Sequence, residues 1–357
     1  MFEYAKWFNK LPSDKEDINE NNLRLFFSTM YERQIIWKRR FIENKNRPWT
    51  NNPILRDSKF TNVYRELDRN SQWLIKNIIL DDKLSLKNLI WKMMVFRFFN
   101  NPETFMFEPK QIVTEPSLFP VKVKNNLISS KKWRNGIPDF EEYNEDEFSE
   151  FITGIRSTGK NPYTSAYLIN SMATPGKPRD YCYTHLVIPT LHSKIPELIK
   201  VVLTAKEPED VINYLKTLPS VADFIAHEFY QDFTYISRYT DRKFMKFNQN
   251  DYTNVGPGAS MGIRLIFPSL STREQKKGIY ELRRISAVYL NDIEKTENES
   301  FPYLHWDKEN KKYFVNDSYD LSLHQIEMWL CEFQKYWKMT IGEGKQRSKF
   351  IPRTITL

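Results

Sequence analysis

LPSVADFIAHEFYQDF, Leu218 to Phe233, is the stretch on which the fold turns. Its last ten residues place Phe224, Ile225 and Phe229 at helical spacing, as an N-capped helix with those three in the core requires. Its first five can be read as that helix's lead-in, or as a tight hairpin joining it to the helix predicted over Pro208–Leu215. Working outward, the apolar spacing stays helical. Residues 21–42 predict an amphipathic helix with Leu23, Phe26, Phe27, Met30, Ile35 and Trp37 inward and the basic Lys38–Arg40 outward. Further helices are predicted over Asn62–Ile79, Leu84–Phe99, Tyr163–Met172, Lys194–Leu203, Gly258–Phe267, Arg273–Leu290 and Leu321–Met339. The acidic run DFEEYNEDEFSEF reads as a solvated helix N-terminus, where carboxylates suit the dipole. Short strands are expected only near Tyr183–Ile188.

The hairpin reading has a known frame. LPGVGxxTA is the helix-hairpin-helix element, whose glycines let backbone N–H groups reach DNA phosphates. Here Ser220 and Ala222 replace both glycines. Both residues are small, so tight packing survives, but close phosphate approach is weakened and the plain N-capped helix is favoured.

Aromatic residues make up 15% of the 357 residues, enough for a substantial core despite 27% charged residues. The net charge of +8 suits a polyanionic partner without proving one. Cys182 and Cys331 form no CxxC and no zinc set with the five histidines. Neither a metal nor another cofactor is expected. No apolar leader or membrane-length run is present, so the reading is a cytoplasmic, non-secreted protein. No internal repeat marks a boundary. The division considered is residues 1–190 (N-terminal, substrate-recognising), 191–345 (hairpin and Gly-Pro-Gly-Ala part) and a mobile basic tail, 346–357, or else one continuous domain.

Two glycine-bearing segments invite a phosphate reading. GIRSTGKN, Gly154 to Asn161, fits GxxxxGK, but Asn161 stands where a Mg²⁺-binding Ser or Thr belongs and no apolar strand precedes it. It is rejected as a P-loop, with Lys160 retained as a phosphate contact. DYTNVGPGASMGIRLIF, Asp251 to Phe267, holds three of the chain's ten glycines within seven positions. Gly256 and Gly258 are read as opening a helix N-terminus to a phosphate, with Pro257 fixing the turn.

Several segments resemble one family in order: TMYERQIIWKRR, RPWTNNPILRDSKFTNVYRELDRNSQWL, NPYTSAYLI, DFIAHEFYQDFTY, NVGPGASMGI and IEMWLCEFQKY. Over about residues 20–345 the chain resembles the alpha-glutamyl/putrescinyl thymine pyrophosphorylases, also described as the helical domain of 5-hydroxymethyldeoxyuridine DNA kinases. The resemblance implies a mainly α fold with few or no strands, related to the helix-hairpin-helix DNA glycosylases. It implies double-stranded DNA carrying modified pyrimidines as partner. It places weight on Arg65, Asp68, Arg69, Tyr167, Phe224, Ala226, Asp232, Gly256, Pro257, Gly258, Ala259, Glu327, Leu330, Cys331, Glu332, Lys335 and Tyr336. His227 and Glu228 depart from the family's pattern. The kinase members carry a separate P-loop domain, and without one here kinase activity is not expected to be inherited.

The expected function is therefore a DNA glycosylase-like enzyme, plausibly in anti-phage defence, that flips out a hypermodified 5-hydroxymethyl-type pyrimidine and cleaves its N-glycosidic bond. The alternatives are an amino-acid or polyamine transferase on pyrophosphorylated 5-hydroxymethyl pyrimidine, and a non-catalytic modified-DNA binder. Base extrusion needs flat partners, for which Tyr64, Trp73 and Tyr163 are candidates. A carboxylate must stabilise an oxocarbenium-like sugar. Asp251 is ranked first, ahead of Asp232 and Glu327, the last on the edge of the stripe Leu323, Ile326, Leu330, Phe333 and Trp337, where a structural pair with Arg65 or Arg69 is the competing account.

Overall fold

The computed structural model describes residues 18–105, 133, 136–164 and 174–344. Helices form where the apolar spacing asks for them, and their ends carry recognisable caps. In chain order they are α1 (Glu20–Trp37), α2 (Pro53–Asp57), α3 (Arg69–Leu74), α4 (Leu86–Phe99), α5 (Pro102–Phe105), α6 (Glu145–Ser157), α7 (Arg179–Cys182), α8 (Ile188–Thr204), α9 (Pro208–Leu215), α10 (Asp223–Tyr239), α11 (Pro257–Ile266) and α12 (Gln275–Glu297). A two-stranded sheet, β1 (Tyr303–Asp307) and β2 (Lys312–Asn316), precedes α13 (Leu323–Thr340). The fold is mainly α, as expected. Ser85 caps α4 by accepting the Asn88 N–H, and left-handed Asn100 ends it. Asn144 caps α6, whose first turn carries Glu145, Asp146 and Glu147 as the acidic run predicts.

Three segments close i→i+5 hydrogen bonds as π-helix: Lys38–Ile42 after α1, Ile75–Ile79 after α3 and Tyr183–Val187 after α7. The last corrects the strands expected near Tyr183–Ile188. Those β-branched residues continue a helical run that opens at Pro178. The helix expected over Asn62–Ile79 is broken, because Asp68 has extended backbone (φ −73°, ψ 141°) and α3 restarts after it. The helix expected at Tyr163–Met172 lies almost wholly outside the described residues, as does the basic tail.

The described residues divide into two compact units, one of residues up to Arg65 with those from Thr253 onward, the other Glu66–Tyr252. The boundary considered near residue 190 falls within the second.

The first unit contains α1, α2, α11, α12, the sheet and α13. The α1 residues named from the sequence are buried, Phe26, Phe27 and Met30 completely. Phe26 meets Phe333 edge-on at 5.5 Å, and Trp329 donates its indole N–H to the Phe26 carbonyl. The Asn19 N–H and the Asn22 amide donate to the last carbonyls of α11, tying the start of α1 to it. Along α13, Leu323, Ile326, Leu330 and Phe333 are buried, but Trp337 is only half-buried and Trp329 and Tyr336 complete the face instead. The antiparallel sheet pairs Tyr303 with Asn316 and Asp307 with Lys312.

The second unit is organised around α4, LKNLIWKMMVFRFF, which is apolar almost all round and buried from Asn88 to Phe99 except at Lys92. Phe99 touches Phe105, Phe148, Tyr163 and Tyr183 with ring centroids 5.0–5.9 Å apart. No helix among the described residues is long and apolar enough to cross a membrane.

Candidate functional site

The glycines of α11 lie four residues apart, so Gly258 and Gly262 share one face of the helix. That face lies against α13. A Cβ on Gly258 would sit 2.9 Å from the Cys331 sulfur, and one on Gly262 would sit 2.5 Å from the Leu330 carbonyl oxygen. These two glycines exist to let two helix backbones approach. The phosphate-cradle reading of Gly258 is corrected on that ground, since its missing side chain makes room for protein rather than ligand. Ala259, completely buried, is likewise a packing residue.

Gly256 differs. It is the N-cap of α11, with extended backbone (φ −71°, ψ 168°) and Pro257 following as the first helical residue. A Cβ there would meet only the Glu327 Oε1 oxygen, at 3.9 Å. Glu327 is half-buried, one turn before Cys331, whose sulfur is 4.0 Å from the same oxygen. A carboxylate therefore stands at the positive end of the α11 dipole, where negative charge is favoured. An anion directed to the same position would meet like charge, which further weakens the phosphate reading of Gly256.

The other carboxylates are committed to structure. Asp232 is completely buried on α10, and both its oxygens accept from the Arg97 guanidinium, at 2.6 and 2.7 Å. It is a mid-helix residue of a sealed ion pair, not a group open to a sugar. Asp251 accepts the Asn248 N–H at 2.7 Å, closing its own turn. It is a turn-capping residue, and its first rank is not supported by this geometry.

Of the expected binding residues, Arg65 is buried, and Asp68 sits at the N-cap of α3. Arg69 pairs with Glu103 at 3.1 Å. Lys335 donates to the Lys59 carbonyl and to Glu332, and covers the Phe60 ring at 4.1 Å, while Glu332 accepts the Thr61 N–H. This pair fastens α13 to the 59–61 segment. Tyr64 is completely buried with its hydroxyl on the Asp320 carbonyl; Tyr163 stacks on Tyr183 at 4.5 Å and Trp73 on Phe96 at 4.5 Å. All three proposed base-stacking rings are thus built into the protein's own packing. Tyr167 lies outside the described residues.

Lys160 is exposed, just beyond a turn in which Gly159 (φ +76°) ends α6 and donates to the Arg156 carbonyl. GIRSTGKN thus forms the C-terminal end of a helix. A P-loop needs the opposite end, so the rejection stands.

The Leu218–Phe233 question resolves toward a hairpin. α9 and α10 are joined by a seven-residue turn in which Ser220 adopts φ +62°, the left-handed conformation that the missing glycine would take without strain. Leu218 and Val221 anchor the turn inward, whereas Phe224, expected in the core, is half exposed. Sequence reasoning missed Arg97 altogether. A lone arginine in an otherwise apolar helix was the available signal, because such a charge must be paired.

Residues 20–123 and 126–346 match the family model described as 5-hmdU DNA kinase, helical domain. A protein of Bacillus phage SP10 named 5-hmdU DNA kinase is 27% identical over 324 residues, covering 88% of this chain and 44% of the phage protein. The chain thus spans less than half the length of that relative. No solved structure matches it. The chain belongs to the family of 5-hmdU DNA kinase helical domains. This overturns the expected glycosylase, a hydrolase, and with it the defence role built on base excision, because the family and the relative are named for phosphoryl transfer. The amino-acid or polyamine transferase finds no support in either match.

Proposed function

We propose that this chain acts in the phosphorylation of 5-hydroxymethyldeoxyuridine in DNA, engaging the DNA and presenting the modified base to a phosphoryl donor. The observation that carries this reading is the family match over nearly all of residues 20–346. GIRSTGKN, the C-terminal end of a helix, is not assigned to the phosphoryl donor. A 5-hydroxymethyl group cannot be reached inside stacked duplex, so the nucleotide is extruded. Its hydroxyl oxygen attacks the γ-phosphorus of a nucleoside triphosphate, the bond to the β-γ bridging oxygen breaks, and the nucleoside diphosphate leaves. Glu327 receives the hydroxyl proton. It is half-buried and stands beside the Gly256 N-cap of α11, where the helix dipole favours a carboxylate.

The test combines the chain with γ-phosphate-labelled ATP, DNA carrying 5-hmdU or thymidine, and the part of the SP10 protein beyond the match. The expected result is tighter binding of 5-hmdU DNA by the chain, and a nucleoside heavier by one phosphate only from that DNA. Equal binding of both DNAs with no phosphorylated nucleoside overturns the reading, as does release of free base.

A further inference from the structure

Residues 38–60 read KRRFIENKNRPWTNNPILRDSKF, with seven basic residues against two acidic, a net +5 within a chain of net +8. The structure gathers part of this charge about one ring. The guanidinium of Arg40 lies 5.2 Å and that of Arg47 5.4 Å from the Trp49 ring centroid, and Arg40 also covers Phe41 at 4.5 Å. Each distance is within the range of a cation–π contact. The like charge is felt: burial first, and then the charge of Arg47, lowers the pKa of Arg40.

The platform is fixed from behind. Trp49 packs on the cluster of Ile36, Leu55, Phe60 and Tyr336, and donates its indole N–H to the Lys45 carbonyl. Arg39 donates to the Trp49 carbonyl and Arg47 to the Arg56 carbonyl. Asn52 caps α2 while its amide donates to the Tyr336 hydroxyl and to Glu32. Around the platform Glu43 meets Lys38 and Lys45, Glu299 meets Lys38 and Arg39, and Asp57 meets Arg56 while also feeling the charge of Arg47. Two guanidiniums gathered on a fixed aromatic surface, within a segment of net +5, suit the phosphates of a nucleic-acid strand, and charge of this sign does not suit a small neutral ligand.

We infer that the Arg40–Arg47–Trp49 platform grips the sugar-phosphate backbone of DNA, independently of base identity. This rests on the proposed action on DNA but not on recognition of the modified base. Phosphate contacts position a protein without reading sequence. The chain can therefore hold thymidine DNA and 5-hmdU DNA alike through this surface.

The test measures binding of fluorescent duplexes containing 5-hmdU or thymidine over a salt series. The variants are Arg40→Ala/Arg47→Ala, Arg40→Lys/Arg47→Lys, and the exposed control Lys295→Ala. Melting curves check that each is folded. The double alanine variant is expected to bind both DNAs ~10-fold more weakly, with a salt slope smaller by about 1–2. The double lysine variant recovers the slope but not the full affinity, because the planar stacking is lost. An unchanged affinity and slope in the double alanine variant overturns the inference, as does a loss matched by Lys295→Ala, or binding of acidic protein in preference to DNA. If wild type fails to prefer 5-hmdU yet the platform variants still weaken both DNAs, the base-recognition reading fails while this one stands.

Discussion

Asp232 on α10 and Glu327 on α13 are both carboxylates set in apolar helices, yet their surroundings differ. Asp232 is closed on all sides, with both oxygens taken by Arg97 and the side chains 0% and 2% exposed. Glu327 is half-buried and faces a glycine across the α11–α13 contact. Removing two charges from water is expensive, and a bidentate partner offsets it, so Asp232 is locked in place. The difference teaches that burial alone does not nominate a catalytic acid or base; what the oxygens already hold decides.

The contrast breaks most visibly at Asp232. Asp232→Ala strands a buried guanidinium and is expected to destabilise the fold by about 3–5 kcal/mol in denaturant titrations. Replacing both partners, Arg97→Met with Asp232→Leu, should recover most of that loss. If the double variant is as unstable as the single, the pair is more than a structural closure. Next in size is Gly262→Ala. Its Cβ would meet a backbone carbonyl that no side-chain change can remove, and ~1–3 kcal/mol of lost stability is expected. Gly258→Ala instead meets a side chain, so Cys331→Ala should relieve it in a double-mutant cycle, whereas Gly262→Ala should show no such rescue. The smallest effect on stability is expected at Glu327. Glu327→Gln should leave the melting temperature within about a degree, as a change under ~0.5 kcal/mol implies. It should lower phosphorylation of 5-hmdU DNA by roughly 10²–10⁴-fold with DNA binding retained. A variant that melts early but keeps its rate would assign Glu327 to structure beside Asp232.

Much of the helical scaffold was legible because a 3.6-residue apolar period is written locally. The buried set of α1, the capped span of α4 and the run Pro208–Leu215 all follow from residues within one turn or two of each other. The ion pair was not legible, because Arg97 and Asp232 are 135 residues apart and neither segment contains its partner. The sheet was missed for another reason. YLHWD and KYFVN are too short for alternation to stand out against helix, and only the polar turn between them marks the reversal. For the glycines, sequence displays the freedom without the neighbour. NVGPGASMG announces a close approach, but whether to phosphate or to another helix depends on α13, some seventy residues downstream. At Ser220 the residue argued against a hairpin, and the backbone took the left-handed turn regardless, fixed by Leu218 and Val221 on either side.

The π turn at Lys38–Ile42 carries a consequence for how this chain can change over time. Such a turn accommodates one residue more than an α-helix would. Just before it, Ile35, Ile36 and Trp37 are buried; within it, no residue is. The extra residue shifts the phase, so that Arg40 and Phe41 do not continue the inward stripe of α1. What holds them outward is a length of chain rather than a residue type. Loss of a single codon here would carry the stripe forward and turn cationic side chains toward the interior, while every amino acid of the platform remained in the gene. The mutations to which this surface is most sensitive are therefore deletions and insertions, a kind of change that substitution scanning never samples.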